Sequence, residues 1–173
     1  MYDIGIAAGV ESMSSCSFQG ATPIVDLNTI KKHEEAASCL IPMGITSENV
    51  AERYRVSRRA QDRFALNSHQ KANNAKAKGY FTKEIVSIAG VNEDDGVRRG
   101  TSFETLSKLK PAFKRNGSTT AGNASQLSDG ASAVFVANGK SVKELGLPVL
   151  AIWRKYTVVG VPPDIMGIGP AFA

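Results

Sequence analysis

The stretch that decides the fold is T-T-A-G-N-A-S-Q-L-S-D-G at residues 119–130, which runs into A-S-A-V-F-V-A at residues 131–137. The second segment is short, with β-branched and aromatic members, and this pattern is typical of a strand buried on both faces. Gly122 and Gly130 permit a close backbone approach or a positive φ, and Asp129 before Gly130 is a turn signal. A small-residue turn that leads into a buried strand is a common ligand site in α/β proteins, although a plain connecting loop has the same composition.

Four further segments accompany this stretch, in a fixed order along the chain. They are G-V-E-S-M-S at 9–14, P-M-G-I-T-S-E-N-V-A at 42–51, K-L-K-P-A-F at 108–113 and V-G-V-P-P-D-I-M-G-I-G-P at 159–170. Together the five segments resemble, in order and spacing, the signature segments of the thiolase family. The resemblance covers essentially the whole chain and is strongest to the peroxisomal 3-ketoacyl-CoA thiolases of fatty-acid β-oxidation. The biosynthetic and mitochondrial thiolases are the alternative subclasses.

The resemblance implies an α/β fold of the layered thiolase type, with a mixed five-stranded sheet in each half. The chain is then expected to be an internal fragment in four parts. These are the strand end of the N-terminal half (1–11), most of the inserted loop domain (12–118), the return to the N-terminal half (119–146) and the start of the C-terminal half (147–173). The chain departs from the family near residues 91–96, where peroxisomal thiolases usually carry a longer segment.

Composition places the chain among soluble globular proteins and leaves its partner open. The 173 residues are enough for a core, and 42% are hydrophobic and 21% charged. No apolar run is long enough to span a membrane, and no secretory or peroxisomal targeting signal is recognisable in the sequence. The net charge of +5 suits nucleic acid, a phosphate-bearing cofactor such as coenzyme A, or a merely solvated basic surface.

Helices are predicted where caps and apolar spacing agree. The clearest is 58–78, with Ser57 as cap, Gly79 as stop and Phe64 in the core. Thr46 or Ser47 is expected to cap a shorter helix that ends at Tyr54. Capping-box spacing predicts short helices after Thr101 with Glu104 and after Ser141 with Glu144, and a weak helical pattern covers 26–39. Besides 131–137, strands are predicted at 4–9, 84–88 and 147–159.

The chain's cysteines and histidines do not match the catalytic residues of a thiolase. The resemblance implies a cysteine nucleophile, a second cysteine as acid and base, and an activating histidine. Cys16 is followed by S-F-Q rather than the family's S-S-G, and Cys39 stands in a helical stretch expected to be partly buried. His33 and His69 have no acidic or thiol neighbour at a useful spacing and are expected on the surface. No catalytic residue and no metal site is therefore predicted.

The coenzyme A side of a thiolase site is what the resemblance leaves in this chain. It implies that Met43 lines the acyl and pantetheine channel, that Arg98 and Thr105 lie along the nucleotide, and that Ala121 and Ser125 lie along the pantetheine. The residue types suit these roles, since methionine packs against a thioester tail, arginine binds phosphate and small residues admit a cofactor close to the backbone. Coenzyme A and acyl-CoA are expected as substrates, with no permanently bound cofactor.

The expected function is that of a segment of a 3-ketoacyl-CoA thiolase that binds coenzyme A and is inactive by itself. The resemblance also implies a homo-oligomer for the full-length protein and a peroxisomal location, with the mitochondrion as the alternative. A naturally truncated protein that binds coenzyme A or pairs with a thiolase is a second hypothesis. A nucleic-acid-binding domain is a third, but basic and aromatic residues do not alternate as such a domain would require.

Overall fold

A computed structural model describes residues 2–16 and 25–173, so residues 17–24 of the predicted loop domain lie outside it. In the described residues, the strands are β1 (Ile4–Ser12) and β2 (Asp129–Ala137), and a 3-10 helix spans Pro163–Ile168. The α-helices are α1 (Leu27–Ile30), α2 (Glu34–Ser38), α3 (Met43–Arg53), α4 (Arg58–Ala77), α5 (Phe103–Ser107), α6 (Gly139–Glu144) and α7 (Gly169–Phe172). The described part of the chain contains no helix that is long and apolar enough to cross a membrane.

The chain forms two compact units, each built from two separate segments. The first unit comprises Met1–Asp26 and Leu127–Val158, and the second comprises Leu27–Gln126 and Val159–Ala173. Among the described residues, most helices belong to the second unit, while β1 and β2 belong to the first.

The first unit contains a two-stranded antiparallel ribbon. Its register pairs Ile4 with Ala137 at one end and Ser12 with Asp129 at the other. The predicted strand positions are confirmed, but the prediction that 131–137 is buried on both faces is wrong. Both strands are solvent-exposed, and Val10 in β1 retains 82% of its exposed surface. The reason is that β1 and β2 pair only with each other in the described chain, so a pattern suited to an interior strand lies on an open ribbon.

The rest of the first unit departs from the sequence prediction at two places. Helix α6 starts one turn earlier than predicted, because the Asn138 side chain accepts a hydrogen bond from the Ser141 amide at 2.9 Å and takes the capping position. The predicted strand at 147–159 is absent, and its apolar side chains Leu150 and Ile152 are exposed. An extended segment needs a neighbouring strand for its backbone hydrogen bonds, and none pairs with it in the described residues.

Helix α4 is the longest element of the second unit, and the sequence predicts it closely. The Ser57 hydroxyl accepts a hydrogen bond from the Ala60 amide at 3.2 Å, and Gly79 follows the helix with φ of +70°. The prediction that Phe64 is a core residue is wrong, because its side chain is 77% exposed. The fully buried residue of this helix is instead Asp62, at 1% exposure.

Helix α3 begins at Met43 after Pro42, so the prediction that Thr46 or Ser47 caps it is wrong. Both lie inside the helix, where the Thr46 hydroxyl donates to the carbonyl of Met43 at 2.9 Å. Gly44 is buried on this helix because the Phe113 ring occupies the place where a Cβ would stand. The helix is thus fixed by close packing at its first turn.

The link between α4 and α5 is irregular. The predicted strand at 84–88 is reduced to a single bridge between Ile88 and Val91, across Ala89 and Gly90 with φ of +49° and +83°. A tight turn of this kind stops a strand before it can extend.

The capping box of α5 lies one residue beyond the predicted one. Ser102 and Thr105 form it, rather than Thr101 and Glu104. The Ser102 hydroxyl accepts from the Thr105 amide at 3.2 Å, while the Thr101 hydroxyl donates to the carbonyl of Arg98 at 3.0 Å.

The interior of the second unit is largely polar among the described residues. Its buried apolar side chains are Leu106 and Ile165. Its buried polar side chains are Thr46, Glu48, Asp62, Thr119 and Thr120. Because an unpaired buried polar group is costly, hydrogen-bond partners rather than packing alone must fix the positions of these elements.

Candidate functional site

The stretch at 118–123 is held in place by a buried carboxylate from α3. Glu48 accepts hydrogen bonds from the Thr119 amide at 2.7 Å, the Ser118 amide at 2.9 Å and the Ser118 hydroxyl at 3.0 Å. Burial alone would raise the pKa of Glu48, but the two amides and the hydroxyls outweigh it and hold that pKa below its ordinary value. The carboxylate is therefore charged at neutral pH and acts as a fixed acceptor for the turn.

A second buried carboxylate joins the same turn to α4. Asp62 accepts from the Arg58 Nε at 2.8 Å and from the Asn123 side-chain amide at 3.0 Å. The side-chain oxygen Oδ1 of Asn123 in turn accepts from the Thr120 amide at 2.7 Å, which closes a four-residue turn. Arg58 also donates to the carbonyls of Leu106 and Leu109, at 2.6 and 3.0 Å. One ion pair thus connects α4, α5 and the central stretch.

Gly122 supplies the close approach that the sequence predicts for this stretch. A Cβ at this position would stand 2.5 Å from the Leu109 Cδ1 and 2.6 Å from the Leu106 Cδ2. A larger residue would require these two leucine side chains to move, so glycine is favoured here by space rather than by backbone conformation.

The predicted pantetheine-binding residues lie on the exposed side of the held stretch. Ala121 and Ser125 are both exposed, and the Ser125 hydroxyl donates to the carbonyl of Gln126 at 3.2 Å. A fixed turn that presents small side chains to solvent can accept a narrow ligand close to its backbone. Their contact with such a ligand stays a prediction.

Met43 and Thr105 stand at the starts of two helices. Met43 is the first residue of α3 and is 58% exposed. The Thr105 hydroxyl is engaged locally, since it donates to the carbonyl of Ser102 at 2.8 Å and accepts from the Ser102 amide at 3.1 Å. If Thr105 lies along a nucleotide, its hydroxyl must bind the ligand while it also makes these hydrogen bonds in the capping box of α5.

Arg98 lines an open polar pocket of about 360 Å³ beside α4. The lining residues are His69, Gln70, Asn73, Asn74, Arg98, Gly100 and Thr101. A polar concavity with one guanidinium can hold an anionic group through charge-assisted hydrogen bonds. The structure places all five predicted binding residues in the second unit, but only Arg98 lines this pocket.

The cysteines and histidines differ in their surroundings. Cys16 and Cys39 are both exposed, which corrects the expectation that Cys39 is partly buried. His33 is exposed as predicted, whereas His69 is half-buried and its Nδ1 accepts from the Arg98 amide at 3.3 Å. Within the described ranges 2–16 and 25–173, no three His, Cys, Asp or Glu side chains are arranged to hold a metal ion.

Sequence reasoning missed the groups that support the site. Glu48 lies in the motif segment 42–51 and Asn123 in the motif segment 119–130. Their place in these segments is the sequence signal that could have identified them. Asp62 and His69 gave no signal, because an acidic or imidazole side chain in a polar helix has the pattern of a solvated face.

Comparison with known proteins defines the class. Residues 1–140 match the family described as Thiolase, N-terminal domain. This chain belongs to the thiolase family. Its α/β fold is the thiolase fold in part, as the sequence predicts.

Similar relatives within that family are peroxisomal 3-ketoacyl-CoA thiolases. The chain is 54% identical to the human protein of that name, in a match that covers 99% of this chain and 43% of the human one. It is 48% identical to 3-ketoacyl-CoA thiolase 1, peroxisomal, of Arabidopsis thaliana, over 99% of this chain and 42% of that protein. The chain thus spans less than half the length of the curated relatives it matches.

Solved thiolase structures give the same result. The dimeric peroxisomal thiolase of Saccharomyces cerevisiae matches with a TM-score of 0.92 and 46% identity, over 99% of this chain and 45% of that chain. The human mitochondrial 3-ketoacyl-CoA thiolase in complex with CoA matches with a TM-score of 0.82 and 34% identity, over 99% of this chain and 46% of that one.

Proposed function

We propose that this chain is the part of a 3-ketoacyl-CoA thiolase that binds and orients the coenzyme A portion of the substrate. The observation that carries the proposal is the 54% identity to human peroxisomal 3-ketoacyl-CoA thiolase across 99% of the chain. In the full-length protein the reaction is cleavage of a 3-ketoacyl-CoA by a second coenzyme A, which yields acetyl-CoA and a shortened acyl-CoA. The nucleophilic cysteine, the second cysteine and the histidine of that reaction are not among this chain's residues, so the chain alone is inactive.

The binding roles follow the positions of the side chains. Arg98 binds phosphate or adenine from the wall of its polar pocket, with Thr105 further along the nucleotide. Ala121 and Ser125 line the pantetheine from the exposed side of the held turn, and Met43 lines the acyl end from the start of α3. No permanent cofactor is required, because coenzyme A enters and leaves as a substrate.

The direct test is calorimetric titration of the 173-residue chain with coenzyme A. Arg98→Ala is expected to weaken binding about ten- to hundred-fold, because a hydrogen bond to a charged group contributes about 1.5–3 kcal/mol. Arg63→Ala is the matched control, since Arg63 is exposed on α4 away from the pocket. Equal losses in both variants, or no binding by the unsubstituted chain, would refute the proposal.

A naturally truncated protein that binds coenzyme A or pairs with a thiolase is the alternative. The intact mass of the protein in its source cell separates the two. A mass far above 18.4 kDa supports the enzyme, whereas a mass equal to that value supports the non-catalytic protein.

Assembly and location follow the relatives. The yeast structure is described as dimeric, and relatives from human, Yarrowia lipolytica and Arabidopsis thaliana are named peroxisomal. We therefore place the full-length protein in the peroxisome as a homodimer, with the mitochondrion as the alternative location. Light scattering of the full-length protein and fluorescence microscopy of a tagged gene product test these two statements. The four-part division at 1–11, 12–118, 119–146 and 147–173 is proposed with them.

A further inference from the structure

The main chain of Arg98 is held on both sides by a single helix face. Its amide donates to the Nδ1 of His69 at 3.3 Å, and its carbonyl accepts from the side-chain amide of Asn73 at 3.3 Å. His69 and Asn73 are four residues apart on α4, so they lie on the same side of the helix. The Thr101 hydroxyl adds a third hydrogen bond, to the same carbonyl, at 3.0 Å.

This arrangement fixes the base of a long side chain that is itself exposed. Arg98 belongs to an irregular link that is itself neither helix nor strand and in which Gly100 has φ of +75°. A flexible arginine loses conformational entropy when it binds, and fixing its main chain beforehand reduces that loss. Arg98 and the three residues that hydrogen-bond to its main chain all line the polar pocket; these three are His69, Asn73 and Thr101.

We propose that His69 and Asn73 are positioning residues that fix Arg98 for the phosphate-bearing end of coenzyme A. The inference rests on the proposed function, because it takes coenzyme A as the ligand.

The experiment measures coenzyme A affinity and the hydrogen exchange of the Arg98 amide in the unsubstituted chain and four variants. His69→Ala and Asn73→Ala each remove one support. His69→Asn keeps an acceptor where Nδ1 stands and so tests rescue by a conservative variant, and His33→Asn is the control at the exposed histidine.

His69→Ala and Asn73→Ala are each expected to weaken binding about three- to ten-fold, as one lost hydrogen bond predicts, and His69→Ala is expected to speed Arg98 exchange. His69→Asn and His33→Asn are both expected to keep the affinity and the exchange rate of the unsubstituted chain. Unchanged exchange in His69→Ala, or a loss of affinity in His69→Asn as large as that in His69→Ala, would overturn the inference while leaving the proposed function intact. Absence of coenzyme A binding in the unsubstituted chain would overturn both.

Discussion

Replacement of Glu48 tests whether the held turn depends on its buried carboxylate. Glu48→Ala leaves the buried amide of Thr119 and the partly buried amide of Ser118 without an acceptor. Each unsatisfied buried donor costs about 1–3 kcal/mol, and breaking a buried charged network costs about 3–5 kcal/mol. We expect the variant to lose about 3–5 kcal/mol of unfolding free energy, which is a large part of the 5–15 kcal/mol typical of a domain.

Glu48→Gln keeps one acceptor oxygen and the side-chain volume, so it is expected to lose only about 1–2 kcal/mol. This variant keeps the test informative if Glu48→Ala does not fold. Glu52→Ala is the matched control, because Glu52 lies one turn further along α3 and pairs in solvent with Lys114 at 2.8 Å. Its removal is expected to leave stability almost unchanged.

Urea unfolding followed by far-UV circular dichroism is the suitable assay, because six of the seven α-helices among the described residues belong to the second unit. The pH dependence supplies a second readout. Since the folded-state pKa of Glu48 is lowered, its stabilising contribution is complete above the unfolded value of about 4.3 and is lost as pH falls through the folded value. Indistinguishable transitions for Glu48→Ala and Glu52→Ala would refute the reasoning.

Three further predictions test the packing, the cap and the open ribbon. Gly122→Ala places a Cβ 2.5 Å from Leu109 and is expected to lower the unfolding free energy by about 1–3 kcal/mol. Gly139→Ala is the control and is expected to leave the unfolding free energy unchanged, because open space surrounds Gly139. Equal urea midpoints for the two variants would contradict this. Ser57→Ala removes the cap of α4 and is expected to lower the unfolding free energy by about 1 kcal/mol, with Ser68→Ala in the middle of the helix as the control that should not. The double variant Ile6→Lys, Val10→Lys places charge on one face of the exposed ribbon and is expected to reduce aggregation, measured by light scattering. Unchanged aggregation would argue against association through that face.

Local signals in the sequence were enough where one residue decides the structure. The two ends of α4 were predictable from Ser57 and Gly79, because a cap and a positive-φ glycine act on residues only a few positions away in the chain. The family and the α/β class were also predictable, because five segments in order are a long-range signal. The strand positions of the ribbon followed from composition, but its exposure did not, since burial depends on which other strands are present.

The supports of the site were not predictable for a different reason. Asp62 is buried while Phe64 on the same helix is exposed, because the inward face of α4 binds a polar turn through Arg58 and Asn123 rather than an apolar layer. The usual rule that apolar residues point inward therefore selects the wrong residue. The capping box at Ser102 was missed by one residue because Thr105 completes it, whereas the usual spacing pattern has Glu or Gln at that position and therefore selects Thr101 with Glu104.

The second unit closes on itself through residues far apart in the chain. Asn49 of α3 donates to the carbonyl of Asp164 at 3.0 Å, Arg53 pairs with the Asp164 carboxylate at 3.2 Å, and Ile165 beside it is 3% exposed. During synthesis, α3 must therefore wait for more than a hundred further residues, on the order of ten seconds at ordinary translation rates, before this contact can form. Until then the face of α3 that contacts Asp164 and Ile165 stays exposed on the nascent chain, where molecular chaperones can bind it.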